Sequence, residues 1–234
     1  MELKTLKLNG QSKLAAALDQ FAELPAVWEA FGLASQRPVV VIVGGAGGMS
    51  DEDIQSVQTL FAQHLIPFVQ EQQAVTIEGG TDAGVMRAIG RAYHQTGTTL
   101  PLISVAARGI EGVVDMLETH HTHFILCPGT EWGDESEWIA AAASALAGSA
   151  PSATLLFNGG QIAWRDADFS VKYKRPVLVA DGSGRTADTL ARTSQLKALD
   201  LRAVRLLRSG LIHIANPFKH PEVFMDKLRK LMKA

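Results

Sequence analysis

The stretch Val39-Val40-Val41-Ile42-Val43-Gly44-Gly45-Ala46-Gly47-Gly48-Met49-Ser50-Asp51-Glu52-Asp53 decides the fold. An apolar, β-branched run with no polar alternation marks a parallel strand buried on both faces. Glycines then turn the chain, and Ser50 followed by three acids reads as a helix N-cap with an acidic first turn, close to a capping box. A strand, a glycine turn and a helix N-terminus in that order open a doubly wound sheet.

The pattern repeats downstream. Further strands are expected at Val75–Glu78, Leu102–Ala106, Thr122–Leu126, Thr154–Phe157, Val177–Ala180 and Leu211–Ile214. Pro38, Pro101, Pro151 and Pro176 each stand just before or at the start of a strand, where a missing N–H breaks no interior ladder bond. Helical periodicity marks Ser50–Gln63, Asp82–Gln95, Gly133–Ala147, Gln161–Tyr173, Arg185–Leu199 and Pro221–Met232, and a helix packed on the outside is expected over Ser12–Phe31. The expected architecture is therefore α/β: a Rossmann-like, doubly wound, mainly parallel sheet with helices on both faces. It occupies residues 1–234 as one domain, with a helical N-terminal extension over 1–37, a core over 38–191 and closing helices with the last strand over 192–234.

Composition narrows the function classes. The chain has 234 residues, 47% of them apolar and 20% charged, with a net charge of −2, which is an ordinary globular balance. No basic surplus is present for non-specific nucleic-acid binding, and no apolar stretch approaches the roughly 20 residues of a membrane helix. With a single cysteine, Cys127, and no apolar leader near Met1, the chain reads as cytoplasmic, without an internal disulfide.

Most of the 21 glycines fall in six loops that each follow a strand: Gly44–Ser50, Glu78–Gly84, Ala107–Gly109, Pro128–Thr130, Asn158–Gly160 and Asp181–Arg185. In a parallel sheet such loops gather at the carboxyl edge, where α/β folds bind ligands, and helix N-termini behind them suit phosphate. No lysine follows Gly48, so the first loop is not a Walker A. Nor is it a dinucleotide fingerprint: Ser50 holds the third-glycine position, and the acid that ends the second strand, Glu78, lies 34 residues beyond Gly44.

Three ordered segments carry a resemblance: Glu78–Gly90 (EGGTDAGVMRAIG), His121–Leu126 (HTHFIL) and Asp181–Asp188 (DGSGRTAD). Together they resemble the SLOG superfamily, and within it the prokaryotic LSDAT branch, related to the N-terminal region of melastatin-type TRP channels. The resemblance implies a Rossmann-like domain that recognises nucleotides or nucleotide-derived signals such as ADP-ribose, and a homodimer. Its distant LONELY GUY relatives hydrolyse nucleoside monophosphates. The implied binding residues are Gly44, Gly45, Gly47, Gly48 and Ser50; Gly79, Gly80 and Thr81; Asn158, Gly159 and Gly160; and Gly182, Ser183, Gly184, Arg185 and Thr186. Arg185 would meet phosphate with its planar guanidinium while loop amides hold the rest.

Two departures shape the functional expectation. The hydrolase branch carries Pro-Gly-Gly-x-Gly-Thr-x-x-Glu, whereas here the aligned stretch runs from Asn158 to Asp166 (NGGQIAWRD), with an aspartate in place of the glutamate. Binding or sensing of a nucleotide-derived small molecule is therefore expected ahead of N-glycosidase chemistry, which would use Asp166, and a protein-interaction scaffold is the remaining alternative. The helix after His121–Phe124 is alanine-rich and lacks the arginines of the channel relatives, which leaves a diphosphate with fewer partners.

Other residues point to structure as readily as to function. His120, His121 and His123 lack a Cys/His partner at zinc spacing, so no metal is expected, and His121 or His123 is expected to bond loop backbone. Cys127 reads as a small buried residue. Glu131, Trp132, Asp134 and Glu135 meet either ribose hydroxyls or the dipole of the following helix, and Trp132 and Trp164 either stack on a base or pack. No cofactor is expected.

Overall fold

The computed structural model describes residues 1–233. Val39–Val43 extends as β3 (Val39–Gly44), and its alternate residues serve two cores. Val39, Val41 and Val43 face one helical layer, while Val40 and Ile42 face the other, all of them buried. This two-sided burial is why the run carries no polar alternation.

Eight further strands join it: β1 (Glu2–Leu8), β2 (Gln11–Ala17), β4 (Val75–Glu78), β5 (Leu102–Ala107), β6 (His123–Cys127), β7 (Ser152–Phe157), β8 (Val177–Ala180) and β9 (Ile212–Ala215). The order across the sheet is β1-β2-β6-β5-β4-β3-β7-β8-β9, parallel throughout except for the β1–β2 pair. The chain winds one way from β3 to β6 and the other way from β7 to β9, so strand order reverses between β3 and β7. A crevice opens at such a reversal.

The helices are α1 (Leu24–Ala30), α2 (Asp51–Leu60), α3 (Ile66–Glu71), α4 (Gly84–Thr96), α5 (Ser136–Ala147), α6 (Gln161–Lys172), α7 (Arg185–Ser194), α8 (Leu201–Leu207) and α9 (Pro221–Leu231). Trp28, Leu146, Ala167, Leu190 and Leu206 place α1, α5, α6, α7 and α8 on one face. Val57, Phe68, Ile89 and Leu228 place α2, α3, α4 and α9 on the other. The doubly wound architecture read from the sequence is thus the observed one.

The N-terminal segment differs from expectation. Instead of a helix over Ser12–Phe31, the chain forms the β1–β2 hairpin, and helix is confined to α1 after a short 3₁₀ turn at Phe21–Glu23. The signal was local. Asn9 and Gly10 take φ of 47° and 77°, the left-handed pair that a two-residue hairpin turn requires. The alternation of Lys and Leu through β1 is the matching strand pattern. Ala15, Ala16 and Ala17, which look helical as a run, are buried in β2 against β6.

The first helix also outruns its expected end at Gln63. A π-helical turn over Phe61–Leu65 carries α2 into α3, and this break in the α-helical ladder falls just before Pro67, which has no N–H to give it. At the other end, Ser50 Oγ accepts from the Asp53 amide (3.1 Å) and Asp53 Oδ2 from the Ser50 amide (3.2 Å), closing the capping box. Ser50→Ala is expected to lower unfolding free energy by about 1 kcal/mol in thermal denaturation. An unchanged midpoint would mean that the loop, not the cap, fixes this helix start.

Candidate functional site

At the strand-order reversal lies a cavity of about 740 Å³. Its floor is the end of β3 with Gly44, Gly47 and Gly48. Gly160, Ile162 and Asp166 from α6 close one side, Gly79 and Thr81 another, and Arg185 comes from the start of α7. Trp132, Glu135 and Ile139 approach from the turn before α5 and from α5 itself.

Arg185 has φ +48°, outside the usual range for a residue with a side chain, and follows Gly184 at +100°. Such an outlier persists only where surrounding contacts hold it, and these cluster at functional sites. The bend throws the guanidinium across the crevice, where Nη1 donates to the Gly47 carbonyl (2.8 Å). A Cβ would stand 2.9 Å from Nη1 at Gly48 and 3.0 Å from Nη2 at Gly160, so only glycine admits the guanidinium so closely.

The six expected loops divide by what their amides do. In the first, the amides of Ala46, Gly47 and Gly48 make no hydrogen bond to protein among the described residues, and at the start of α6 the amides of Gly160 and Gln161 are likewise unspent. The second loop is tied down at several of its amides. The Gly80 amide donates to Glu78 Oε2 (2.7 Å), that of Asp82 to the Met116 carbonyl (2.7 Å) and that of Val85 to the Gly45 carbonyl (3.0 Å). The sixth is filled from within, since the Gly182 and Gly184 amides both donate to Asp188 Oδ1 (2.8 and 3.1 Å).

Of the residues expected at the site, Gly44, Gly47, Gly48, Gly79, Thr81, Gly160, Asp166 and Arg185 line the cavity. The others stand behind it. Asn158 Nδ2 donates to the Ser183 carbonyl (2.7 Å), and its Oδ1 accepts from the Gly159 amide (2.9 Å). The Thr186 hydroxyl donates to the carbonyls of Gly159 and Gly160 (3.1 Å each). Gly45 lies so close to Asn158 that a Cβ there would meet Oδ1 at 2.7 Å, Gly80 packs against Ser104, and the Ser50 hydroxyl is spent in its cap. The Ala107–Gly109 and Pro128–Thr130 loops bond each other (Gly109 amide to Gly129 carbonyl, 2.8 Å), away from the cavity.

Asp166 is 7% exposed, and its Oδ1 makes no hydrogen bond. Burial pushes its carboxyl up to about 7 and the charge of Glu135 adds to the rise, against smaller opposing pulls from the Ser136 hydroxyl and Arg165. Ser136 Oγ nevertheless completes no well-aligned bond. Burial also raises Glu135, whose carboxylate accepts from the Gly133 amide (2.9 Å).

Beneath the second loop lies a buried ionic cluster. The His121 imidazole bridges Glu78 through Nε2 and Glu118 through Nδ1 (2.9 Å to Oε2), and all three residues are at most 2% exposed. Nδ1 also meets the Glu118 carbonyl (3.1 Å), the backbone contact expected from sequence; the two carboxylate contacts are additional. Burial alone would lower the imidazole, but the charges and hydrogen bonds of Glu78 and Glu118 outweigh it and hold it at about 9. The Glu118 amide in turn donates to the Gly80 carbonyl (2.8 Å), so the cluster props the loop. Among the described residues no group of three or more His, Cys, Asp or Glu is placed to hold a metal ion.

Elsewhere, Cys127 is buried with its thiol pushed up to about 12, first by burial and then by the charge of Glu135. Trp164 packs under the Arg202 guanidinium (4.4 Å from the ring centroid), whereas Trp132 stands 46% exposed at the cavity rim. Asp115 and Met116 also line the cavity and were not anticipated. They sit between β5 and β6 in a long crossover whose only helical turn is Val113–Met116, and such length without helix is itself a functional signal.

A family model described as SLOG in TRPM, prokaryote, matches residues 37–222. The chain belongs to this family. The matched span covers both the SLOG cavity and the strands β3 to β9 that build it. Among solved structures, the SLOG chain is similar to the molybdenum cofactor binding protein from the phototrophic bacterium Rippkaea orientalis, with 11% identity and a TM-score of 0.56 over 84% of this chain and 99% of that one. It is also similar to the structural-genomics protein TM1055, with 16% identity and a TM-score of 0.56 over 81% of this chain and 99% of that one. At these identities the likeness shows the Rossmann-like fold alone. Among the described residues no helix is long and apolar enough to cross a membrane.

Proposed function

We propose that the chain is a binding or sensor domain for a nucleotide-derived small molecule, held at the carboxyl edge of the sheet. The unspent amides of Ala46–Gly48, with the Arg185 guanidinium bonded to the same loop at the cavity, carry this reading. Free N–H groups beside a helix N-terminus and a planar cation are the chemistry of phosphate capture. The apolar side chains of Met86, Ile139 and Ile162, with Trp132 at the rim, suit a base. A cytoplasmic homodimer with no nucleic-acid partner is the setting this reading assumes.

Calorimetry against AMP, NAD, ADP-ribose and cyclic nucleotides tests it. Heat with at least one of them is expected, and silence with all of them at high protein concentration would overturn it. Arg185→Ala is expected to weaken the binding so detected by about 1.5–3 kcal/mol, through loss of a charge-assisted bond. Unchanged affinity would remove Arg185 from the site.

Asp166 favours a second reading, N-glycosidase chemistry. Hydrolysis of a nucleotide at C1′ breaks the C1′–N bond, places a water hydroxyl on C1′ and returns a proton to the base. A buried carboxyl held up to about 7 is suited to hold and pass that proton at neutral pH. Chromatography of AMP incubated with the protein decides: free adenine that disappears in Asp166→Asn supports hydrolysis, and bound AMP that stays intact rejects it.

A further inference from the structure

On the nucleotide reading, on which this inference rests, the ligand enters with its phosphate at the amino end of α6. There the Arg185 guanidinium lies against Gly48 and Gly160, and the amides of both loops are unspent. Asp166 lines the same cavity six residues beyond Gly160, about 9 Å along the helix axis by the rise of 1.5 Å per residue. Ile162, one turn before it, shares its face of α6. Glu135 and Ile139 repeat that spacing at the start of α5, which packs against α6. The resulting wall is apolar apart from two carboxyls. Glu135 is engaged, since both its oxygens accept from the Gly133 amide (3.1 and 2.9 Å). Asp166 is not: it is buried, and its Oδ1 makes no hydrogen bond among the described residues. A buried, unpartnered carboxyl in a cavity wall calls for a partner that arrives with the ligand.

We propose that Asp166 reads the base and selects a 6-aminopurine through its N7 edge. A carboxyl that holds its proton presents a donor beside an acceptor, and adenine presents the complement, the N7 acceptor beside the N6 donor. Hypoxanthine presents two acceptors there, N7 and O6, so one of them opposes the acceptor oxygen of the carboxyl. Side chains lean toward the amino end of their helix, which turns Asp166 to the N7 edge, the one nearer the 5′ phosphate. Burial holds the carboxyl up to about 7; the Ser136 hydroxyl and Arg165 oppose this, and the charge of Glu135 adds to it. Arg185 and Asp115 share the cavity, while Arg202 and Arg205 of α8 answer Asp200 and Asp168. The donor proton is therefore present below about pH 7 and leaves above it.

Calorimetry with AMP, IMP and 7-deaza-AMP at pH 7 tests the pairing. AMP is expected to bind at least roughly fivefold more tightly than either, the scale of one bidentate contact to a base. AMP affinity is expected to fall roughly tenfold between pH 7 and pH 8.5 as the donor proton leaves. The phosphate of the ligand, with its second ionisation near about 6, changes little in that window. In Asp166→Ala the preference for AMP over IMP is expected to vanish. Asp166→Asn, whose amide is again a donor beside an acceptor, should keep the preference and lose the pH dependence. The wild-type series stands as a test even where a variant does not fold. IMP or 7-deaza-AMP binding as tightly as AMP, a flat wild-type pH profile, or a preference that survives Asp166→Ala would overturn the assignment and leave the nucleotide reading intact. Silence with all three would also overturn it, and silence extending to NAD, ADP-ribose and cyclic nucleotides would overturn the nucleotide reading as well.

Discussion

Replacing His121 with leucine is expected to lower unfolding free energy by about 3–5 kcal/mol, because it strands the carboxylates of Glu78 and Glu118 in the core. For a chain of this length that corresponds to a fall in melting temperature of roughly 6–20 °C. The effect is electrostatic, and pH separates it from lost packing. The imidazole is held at about 9 when folded and near 6.5 when unfolded, so its stabilisation is fully present below about pH 6.5 and is lost as pH rises through about 9. Denaturant titrations at pH 6 and pH 9.5 should therefore show a wide gap between wild type and variant at the lower pH and a narrower one at the higher. An equal gap at both would mean that shape, not charge, sets the role of His121. Adding Glu78→Gln to His121→Leu removes one of the two stranded charges and should recover part of the loss.

Asp166→Asn is expected to act in the opposite direction. The folded carboxyl sits at about 7 and an unfolded aspartate near 3.9, so between those values the folded state holds a proton that the unfolded state has released. Stability therefore falls as pH rises through that window, by up to about 4 kcal/mol when complete. The asparagine variant lacks this term. It should match wild type near pH 4 and exceed it near pH 8, as thermal denaturation across the range would show. A variant equally or less stable at pH 8 would mean that the carboxylate finds compensation when ionised. A group that costs folding energy at neutral pH while facing a cavity is the usual signature of a residue retained for its chemistry.

Much of the fold was legible because its signals are local. Val39–Val43 and the other apolar runs declared a two-sided sheet, and the Ser50 cap and the helix that begins at Gln161 stood close to their sequence positions. The N-terminal hairpin was equally local but was obscured by an alanine run of helical appearance, although Asn9-Gly10 marked the turn. The site was legible only as a set of loops. Glycine spacing brought the chain to the cavity, yet whether an amide is free depends on partners outside its loop, such as Asp188 for the sixth loop and the distant Met116 for the second. The Glu78–His121 contact, 43 residues apart, has no trace in either neighbourhood.

The hairpin has a further consequence for the order in which the chain assembles during synthesis. β2 lies at residues 11–17 but takes its parallel partner from β6 at 123–127. An isolated two-stranded hairpin is marginal in water, so this segment leaves the ribosome with no lasting place until β6 has followed it. Meanwhile β3 to β6 pair in sequence, each next to its predecessor, and build the platform on which the older segment docks. The β1–β2 hairpin is thus made well before its partner and seated late, and slow synthesis through residue 127 prolongs the exposure of its alanine face.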